Sequence, residues 1–204
     1  MIPKEDSLAV YPPHPYRPFG ISYQQWTMIW WKWFISIPKD RNPVVDESGS
    51  YSHIDQVNPH AWFLVGTFGG FVQRECTIPA GKSIFFPIIN IEASLNDTSF
   101  TKDHDLQEYC KSHIDDIDSG ALEVKINNQP VKGLDKYRVS TPVFDLNIPN
   151  NNILNAKMGS TRATSDGYWL FIRPLSDKAH KLSFSGSCLS GKLRIGATYF
   201  INIA

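Results

Sequence analysis

Residues 22–37 read SYQQWTMIWWKWFISI and hold four of the six tryptophans of the chain. Ser22 and Gln25 have the spacing of a capping box, in which each side chain satisfies a backbone amide of the first helical turn. Pro38 cannot lie inside a helix, and it disfavours the helical conformation of the residue before it. The stretch therefore predicts a helix that begins directly after Ser22 and ends near Ser36.

Apolar side chains lie on two faces of this predicted helix. At about 100° per residue, one broad face is typical of a helix packed on a core. That face collects Tyr23, Trp26, Ile29, Trp30, Trp33 and Phe34. A narrower stripe of Met28, Trp31 and Ile35 lies opposite. The domain itself could cover both faces of the helix. Alternatively, Trp31 could contact a ligand or a second subunit, and with a second subunit the stripe would be a homo-oligomer interface.

Composition limits the classes of function. Lys plus Arg and Asp plus Glu each number 20 in 204 residues, so no net charge attracts nucleic acid or an anionic membrane. The helix is shorter than the roughly 20 residues of a membrane span. The first 20 residues carry acidic side chains and no sustained apolar run, which is unlike a secretory signal and predicts a cytoplasmic protein. Three cysteines without close pairing indicate free thiols.

From residue 61 onward the pattern changes to short runs rich in β-branched and aromatic residues, separated by Gly, Pro, Asn and Asp. The predicted strands lie within residues 61–68, 69–76, 82–91, 121–127, 136–141, 142–148, 167–175, 180–186 and 197–204. About nine strands at this spacing predict a mainly β fold, an antiparallel β-sandwich of jelly-roll or immunoglobulin-like type. Residues 1–60 would form an arm, the tryptophan helix and a loop packed on the sandwich of residues 61–204.

Three local patterns add detail. The run SIFFPIINI is apolar on both sides, which predicts a central strand with Pro87 either at a bulge or at a site where no ladder donor is missed. ALEVKIN alternates between apolar and polar residues and ends at Asn127 and Asn128, which favour a tight hairpin turn. Helical spacing after Asp103 predicts one short inserted helix.

An acidic segment follows the predicted central strand. A shielded Glu92, with Asp97 nearby in sequence, could act as a general acid or base. Asp103, His104 and Asp105 offer the oxygen and nitrogen ligands of a divalent metal ion, which is the one cofactor that the sequence indicates. Solvated loop and helix-capping roles are the alternative for all of these residues.

Aromatic side chains outside the ordinary core pattern indicate a second kind of site. Trp31, Trp62 and Trp169 could form an aromatic surface, with Arg74 and Asn90 as polar contacts. Flat rings suit sugars or apolar small molecules. The leading hypothesis is therefore a protein that binds a carbohydrate or an apolar small molecule. A metal-dependent or acid–base enzyme and an oligomeric structural protein are the two rivals.

Three stretches of the chain also carry a resemblance. WTMIWWKWFISIP, WFLVGTFGGFVQRECTIPAGKSIFFPIIN and DGYWLFIRPLSDKAHKLSFSG resemble a group of uncharacterised bacterial and archaeal proteins, and together they cover about a third of the chain. The last stretch is also similar to the paired strands of immunoglobulin-like and carbohydrate-binding sandwiches. Such a likeness implies a fold and no activity, because sandwiches host many unrelated functions.

Overall fold

The computed structural model describes residues 9–117, 119–176, 178–188 and 193–204. These residues form a mainly β protein with two α-helices and ten strands, arranged in two five-stranded sheets. The helices are α1 (Tyr23–Ser36) and α2 (Asp103–Asp115). In chain order the strands are β1 (Ala61–Phe63), β2 (Gly70–Ile78), β3 (Ser83–Ser94), β4 (Glu123–Ile126), β5 (Gln129–Pro130), β6 (Arg138–Ser140), β7 (Phe144–Ile148), β8 (Gly159–Ile172), β9 (Ala179–Cys188) and β10 (Leu193–Ile203).

Helix α1 begins and ends where its sequence predicts. The Ser22 hydroxyl accepts a hydrogen bond from the Gln25 amide at 3.2 Å, and the Gln25 side chain accepts one from the Ser22 amide at 2.9 Å. The chain becomes extended at Ile37, directly before Pro38. The capping box and the proline therefore define the helix from both ends.

The two sheets are mixed, so the prediction of antiparallel strands only is wrong. The first sheet has the order β1-β3-β8-β6, with β7 also paired to β8, and the second has the order β2-β10-β9-β4-β5. β1 runs parallel to β3, and β2 runs parallel to β10, while the other pairs are antiparallel. β2 follows β1 in the chain but belongs to the second sheet. The chain then returns to the first sheet as β3, which lies beside β1 and runs in the same direction. The alternation of apolar and polar side chains along a strand indicates which face is buried. It does not indicate whether the neighbouring strand runs parallel or antiparallel.

Strand β3 lies inside the first sheet, as the apolar run SIFFPIINI predicts, because it pairs with β1 on one side and β8 on the other. Neighbouring side chains of β3 point to opposite faces. The Phe85 ring lies 6.2 Å from Trp26 of α1, and the Phe86 ring lies 4.6 Å from Phe184 of β9. The first sheet therefore has α1 on one face and contacts the second sheet through the other. Of the two predicted roles of Pro87, the bulge is confirmed, since the register with β8 shifts just after Pro87.

Other local predictions are also confirmed. Asn127 and Asn128 have positive φ angles of 51° and 66° in the two-residue turn between β4 and β5. Helix α2 is the predicted inserted helix, and its Leu106 and Cys110 pack against Ala93 of β3. Cys76 and Cys110 are free and buried. The sequence predicted neither the two-residue strand β5 nor the first half of β8, residues 159–166.

Within the described part of the chain, no helix combines the length and the apolar character that a membrane crossing requires.

Candidate functional site

A cavity of about 260 Å³ lies where α1, β3 and the start of β10 meet. Aromatic and aliphatic side chains form most of its wall. The lining residues are Trp30, Trp31, Phe34, Val44, Val65, Gly66, Thr67, Phe68, Pro87, Ile88, Asn90, Ile91, Glu92, Asp97, Leu154 and Ile195. The cavity therefore brings the tryptophan helix and the start of the acidic segment to one place, and the sequence could not establish this.

The aromatic wall from α1 is held in a fixed arrangement. The Trp30 indole donates to the carbonyl of Leu64 at 3.0 Å, and the Trp31 indole donates to the hydroxyl of Ser165 at 2.9 Å. Phe34 stacks on Trp30 with ring centroids 4.8 Å apart and meets Trp31 edge to face. Because these rings are anchored by packing and by hydrogen bonds, the wall is pre-formed.

The structure shows what covers Trp31. Only 5% of Trp31 is exposed, and Ile35 is also buried, so the domain itself covers both apolar faces of α1. A homo-oligomer interface through Met28, Trp31 and Ile35 has no exposed tryptophan to support it.

Two polar atoms in the cavity have no hydrogen-bond partner among the described residues. They are Nδ2 of Asn90 and Oε1 of Glu92, and both atoms are buried. The two residues are two apart on β3, so their side chains share one face of the strand. Buried polar atoms in folded proteins are almost always paired, and an unpaired one costs about 1–3 kcal/mol. Such atoms in an apolar wall indicate a place where a ligand can make polar contacts.

The position of Asn90 depends on a glycine of the neighbouring strand. Gly167 of β8 pairs with Asn90, and a Cβ atom built on Gly167 would lie 2.6 Å from the Asn90 Cα and Cβ atoms. β8 can therefore approach β3 this closely only because Gly167 has no side chain.

The carboxyl of Glu92 has a raised pKa. Burial raises the pKa of its carboxyl well above the usual range, and the negative charge of Asp97 raises it further. Both effects favour the neutral, protonated acid over the carboxylate. This combination of a buried carboxyl and a second carboxyl is common at functional sites, although structural pairs produce it as well.

Asp97 marks the mouth of the cavity. It is exposed, and its Oδ1 accepts a hydrogen bond from the Ser94 amide at 2.7 Å in the turn after β3. Phe68 also lines the cavity and is 59% exposed. Since these two residues reach solvent while Oε1 of Glu92 does not, a ligand would enter past Asp97 and Phe68.

Arg74 lies behind the wall, and this corrects its predicted role as a polar contact to the ligand. It is 2% exposed, and its three guanidinium nitrogens donate to protein acceptors. The acceptors are the carbonyls of Val44, Asp46, Val65 and Gly66 and the hydroxyl of Tyr199. Three of these carbonyls belong to residues that line the cavity, so Arg74 positions the wall and does not itself contact the cavity.

The other predicted aromatic contacts lie in the core. Trp169 is fully buried between the rings of Trp30 and Phe85, at 5.2 Å and 5.3 Å. Trp62 is buried in β1 and does not line the cavity. The sequence pattern placed Trp30 and Phe34 in the core and did not mark Phe68, although all three line the cavity. No sequence signal distinguishes a ring that packs on a core from one that also borders a cavity.

The predicted metal ligands do not line the cavity. Asp103 and Asp105 lie in the first turn of α2, and the Asp103 carboxylate forms an ion pair with Arg162 at 2.6 Å. His104 is exposed. Among residues that the structure describes, no group of three or more His, Cys, Asp or Glu side chains is arranged to hold a metal ion.

A larger groove of about 780 Å³ lies along one end of the second sheet. Its walls include His53, Glu75, Asn128, Lys181 and Phe200. None of the residues predicted to form a site lies there. The smaller cavity has the aromatic wall and the unpaired polar atoms, so it is the stronger candidate.

No protein-family model, no curated protein and no solved structure matches the chain. The resemblance of the three sequence stretches therefore stays a prediction, and the case for a function depends on the cavity itself.

Proposed function

We propose that this protein binds a small, mainly apolar molecule in the cavity between α1 and β3. One observation carries the proposal: Asn90 Nδ2 and Glu92 Oε1 lie buried and unpaired within a wall of aromatic and aliphatic side chains. Ligand pockets have this composition, an apolar lining with a few polar groups that orient the ligand.

The size and lining of the cavity favour an apolar small molecule over a carbohydrate as the ligand. A volume of about 260 Å³ lies just below the roughly 300–1,000 Å³ of pockets for drug-sized ligands, so the ligand is small. A sugar of this size would bury several hydroxyl groups, and each hydroxyl without a partner costs about 1–3 kcal/mol. We therefore favour a compact aromatic or aliphatic molecule with one polar end over a carbohydrate.

Tryptophan emission provides the test, because Trp30 and Trp31 line the cavity. Toluene, benzyl alcohol, indole and a set of monosaccharides would be titrated into the protein. We expect a saturable emission change with at least one aromatic probe and none with the sugars. The absence of a saturable response to any probe would contradict the proposal.

A matched pair of variants separates binding in the cavity from binding elsewhere. Ile195 lines the cavity, whereas Ile126 is a partly buried isoleucine of β4 outside it. Ile195→Phe should weaken aromatic ligands at least tenfold by filling space, and Ile126→Phe should leave their affinity within about twofold. Equal effects of the two changes would place the binding site elsewhere.

Acid–base catalysis is the second candidate, and the Glu92 carboxyl specifically favours it. A carboxyl whose pKa is raised by burial and by a second carboxyl keeps its proton at a higher pH than an ordinary glutamate does, and it can transfer that proton to a bound ligand. Ligands found by the titration would be incubated with the protein and followed by NMR. Chemical conversion that is lost in Glu92→Gln would support an enzyme, and bound ligands that stay unchanged would exclude catalysis on them.

A further inference from the structure

Both charged side chains that line the cavity are acidic. Glu92 and Asp97 are the only residues with a formal charge among the described residues that line it. Arg74 is the nearby cation, but all three of its guanidinium nitrogens donate to carbonyls and to Tyr199 behind the wall. The cavity therefore offers acceptors for a positive charge and no side-chain cation for a negative one.

The aromatic lining adds a second favourable contact for a cation. Trp30, Trp31, Phe34 and Phe68 all border the cavity, and Trp30 stacks on Phe34. Aromatic rings attract organic ammonium groups, with tryptophan the strongest, by about 0.5–2 kcal/mol for each good contact. An alkylammonium group also needs an apolar environment for its carbon atoms, and the wall supplies that.

The unpaired polar atoms fit the same ligand. Glu92 Oε1 is buried and has no hydrogen-bond partner among the described residues, although Asp97 and Ser94 lie close enough to shift the pKa of the carboxyl. Asn90 Nδ2, a donor, also has no partner among them, so a rotation of the amide that exchanges Nδ2 and Oδ1 would place an acceptor at the same position. An ammonium group has up to three N–H donors and could satisfy both acceptors.

Building on the proposed binding function, we propose that the ligand is a small organic amine in its ammonium form. Its apolar part lies against Trp30, Trp31 and Phe34, and its ammonium group lies between Glu92 and Asn90, with Asp97 at the mouth. An aromatic cage closed by a carboxylate is a known solution for the recognition of organic cations.

Amine binding should release protons. The groups that face Glu92 are Asp97 in the turn after β3, Cys110 of α2, and the indole rings of α1. Burial and Asp97 raise the pKa of Glu92, so at pH values below that pKa an incoming cation must ionise it. At pH values below the pKa of Glu92, the affinity should therefore rise up to tenfold for each unit of increasing pH. A neutral ligand should show no such dependence.

The experiment compares benzylamine, a cation at neutral pH, with benzyl alcohol and toluene as neutral probes of similar shape. Calorimetry at several pH values, each in two buffers of different ionisation enthalpy, would give both the affinity and the protons released. We expect benzylamine to bind about tenfold tighter than benzyl alcohol and to release protons wherever the pH lies below the pKa of Glu92. Benzyl alcohol binding without a preference for the amine would overturn this inference and leave the proposed function intact. If none of the three probes binds, both proposals fail.

Variants test the role of the carboxyls. Glu92→Gln keeps the shape and removes the charge, so benzylamine affinity should fall to that of benzyl alcohol while benzyl alcohol binds as before. Asp97→Asn removes one cause of the raised pKa of Glu92, so the rise of benzylamine affinity with pH should end at a lower pH than in the original protein. Glu108→Gln, on the exposed face of α2, is the matched control and should have no effect. A benzylamine preference that survives Glu92→Gln would overturn the inference.

Discussion

Ser165 joins the cavity wall to the strand behind it. Its hydroxyl accepts a hydrogen bond from the Trp31 indole at 2.9 Å and donates one to the Ile91 carbonyl at 2.8 Å. Because this buried hydroxyl forms hydrogen bonds with both Trp31 and Ile91, it fixes the Trp31 ring relative to β3. At the scale of one residue, this contact decides where Trp31 lies in the cavity wall.

Ser165→Ala should therefore be costly. It leaves the Trp31 indole N–H without an acceptor in a buried site, so we expect the free energy of unfolding to fall by about 1–3 kcal/mol. Urea unfolding followed by tryptophan emission measures the loss. Ser183→Ala, at a partly exposed position of β9, should change it by less than about 0.5 kcal/mol. Similar values for the two variants would mean that the hydroxyl of Ser165 contributes little.

Glu92 should make stability depend on pH. Its folded-state pKa lies well above the usual 4.5 of a glutamate, so the folded protein holds this proton more tightly than the unfolded chain does. The free energy of unfolding contributed by Glu92 is therefore fully present below pH 4.5. It falls as the pH rises through the folded pKa, by up to about 1.4 kcal/mol per pH unit.

Glu92→Gln tests this dependence. The variant should gain stability relative to the original protein between pH 4 and pH 8, as measured by urea unfolding at several pH values. Asp97→Asn should narrow the pH range over which stability falls, because it removes the second cause of the raised pKa of Glu92. Parallel curves for the Glu92→Gln variant and the original protein would show that Glu92 does not titrate as a buried acid.

Whole elements of this protein follow from local rules. Helix α1 is defined by Ser22, Gln25 and Pro38, and the turn between β4 and β5 is defined by two asparagines that tolerate positive φ. Each of these signals acts between residues close in sequence. For that reason the sequence predicted both ends of α1 and the position of this turn, whereas it did not predict residues 159–166 of β8.

The capping box of α1 gives a prediction at this scale. Ser22→Ala removes the acceptor for the Gln25 amide, and we expect a loss of about 1 kcal/mol in the free energy of unfolding. Ser36→Ala, at the exposed last residue of the same helix, is the matched control and should cost less. Urea unfolding of both variants measures the difference, and a smaller loss for Ser22→Ala than for Ser36→Ala would contradict the capping role.

At the scale of the whole molecule, Arg74 ties separate segments together. From β2 in the second sheet it reaches the loop that holds Val44 and Asp46 and the segment that follows β1 at Val65. Its planar guanidinium can serve several carbonyls at once, which a lysine ammonium cannot do in the same geometry. Arg74 therefore connects the second sheet to two parts of the cavity wall.

Arg74→Met should disrupt this connection. Several buried carbonyls lose their donors, so we expect the free energy of unfolding to fall by about 3–5 kcal/mol, with Arg74→Lys recovering less than half. Arg41→Met, at an exposed arginine, should change it by less than about 0.5 kcal/mol. Urea unfolding of the three variants provides the measurement. Full recovery by lysine would show that the positive charge, and not the arrangement of donors, is what matters.

The sequence alone determined the extent of α1, the central position of β3 and the place of most of the strands, and it offered a bulge as one of two roles for Pro87. These depend on side-chain periodicity, capping residues and proline, which act over a few residues. It also identified Trp31, Asn90, Glu92 and Asp97 as candidates, because each departs from a simple core or surface pattern.

Only the tertiary structure decided which candidates meet. Trp31, Asn90, Glu92 and Asp97 line one cavity, while Arg74 lies behind its wall and Trp62 and Trp169 lie in the core. The parallel pairing of β1 with β3 and of β2 with β10 was equally invisible in the sequence. The reason is the same in both cases: these contacts join residues far apart in the chain, and no local pattern records which distant segment will pack against a given face.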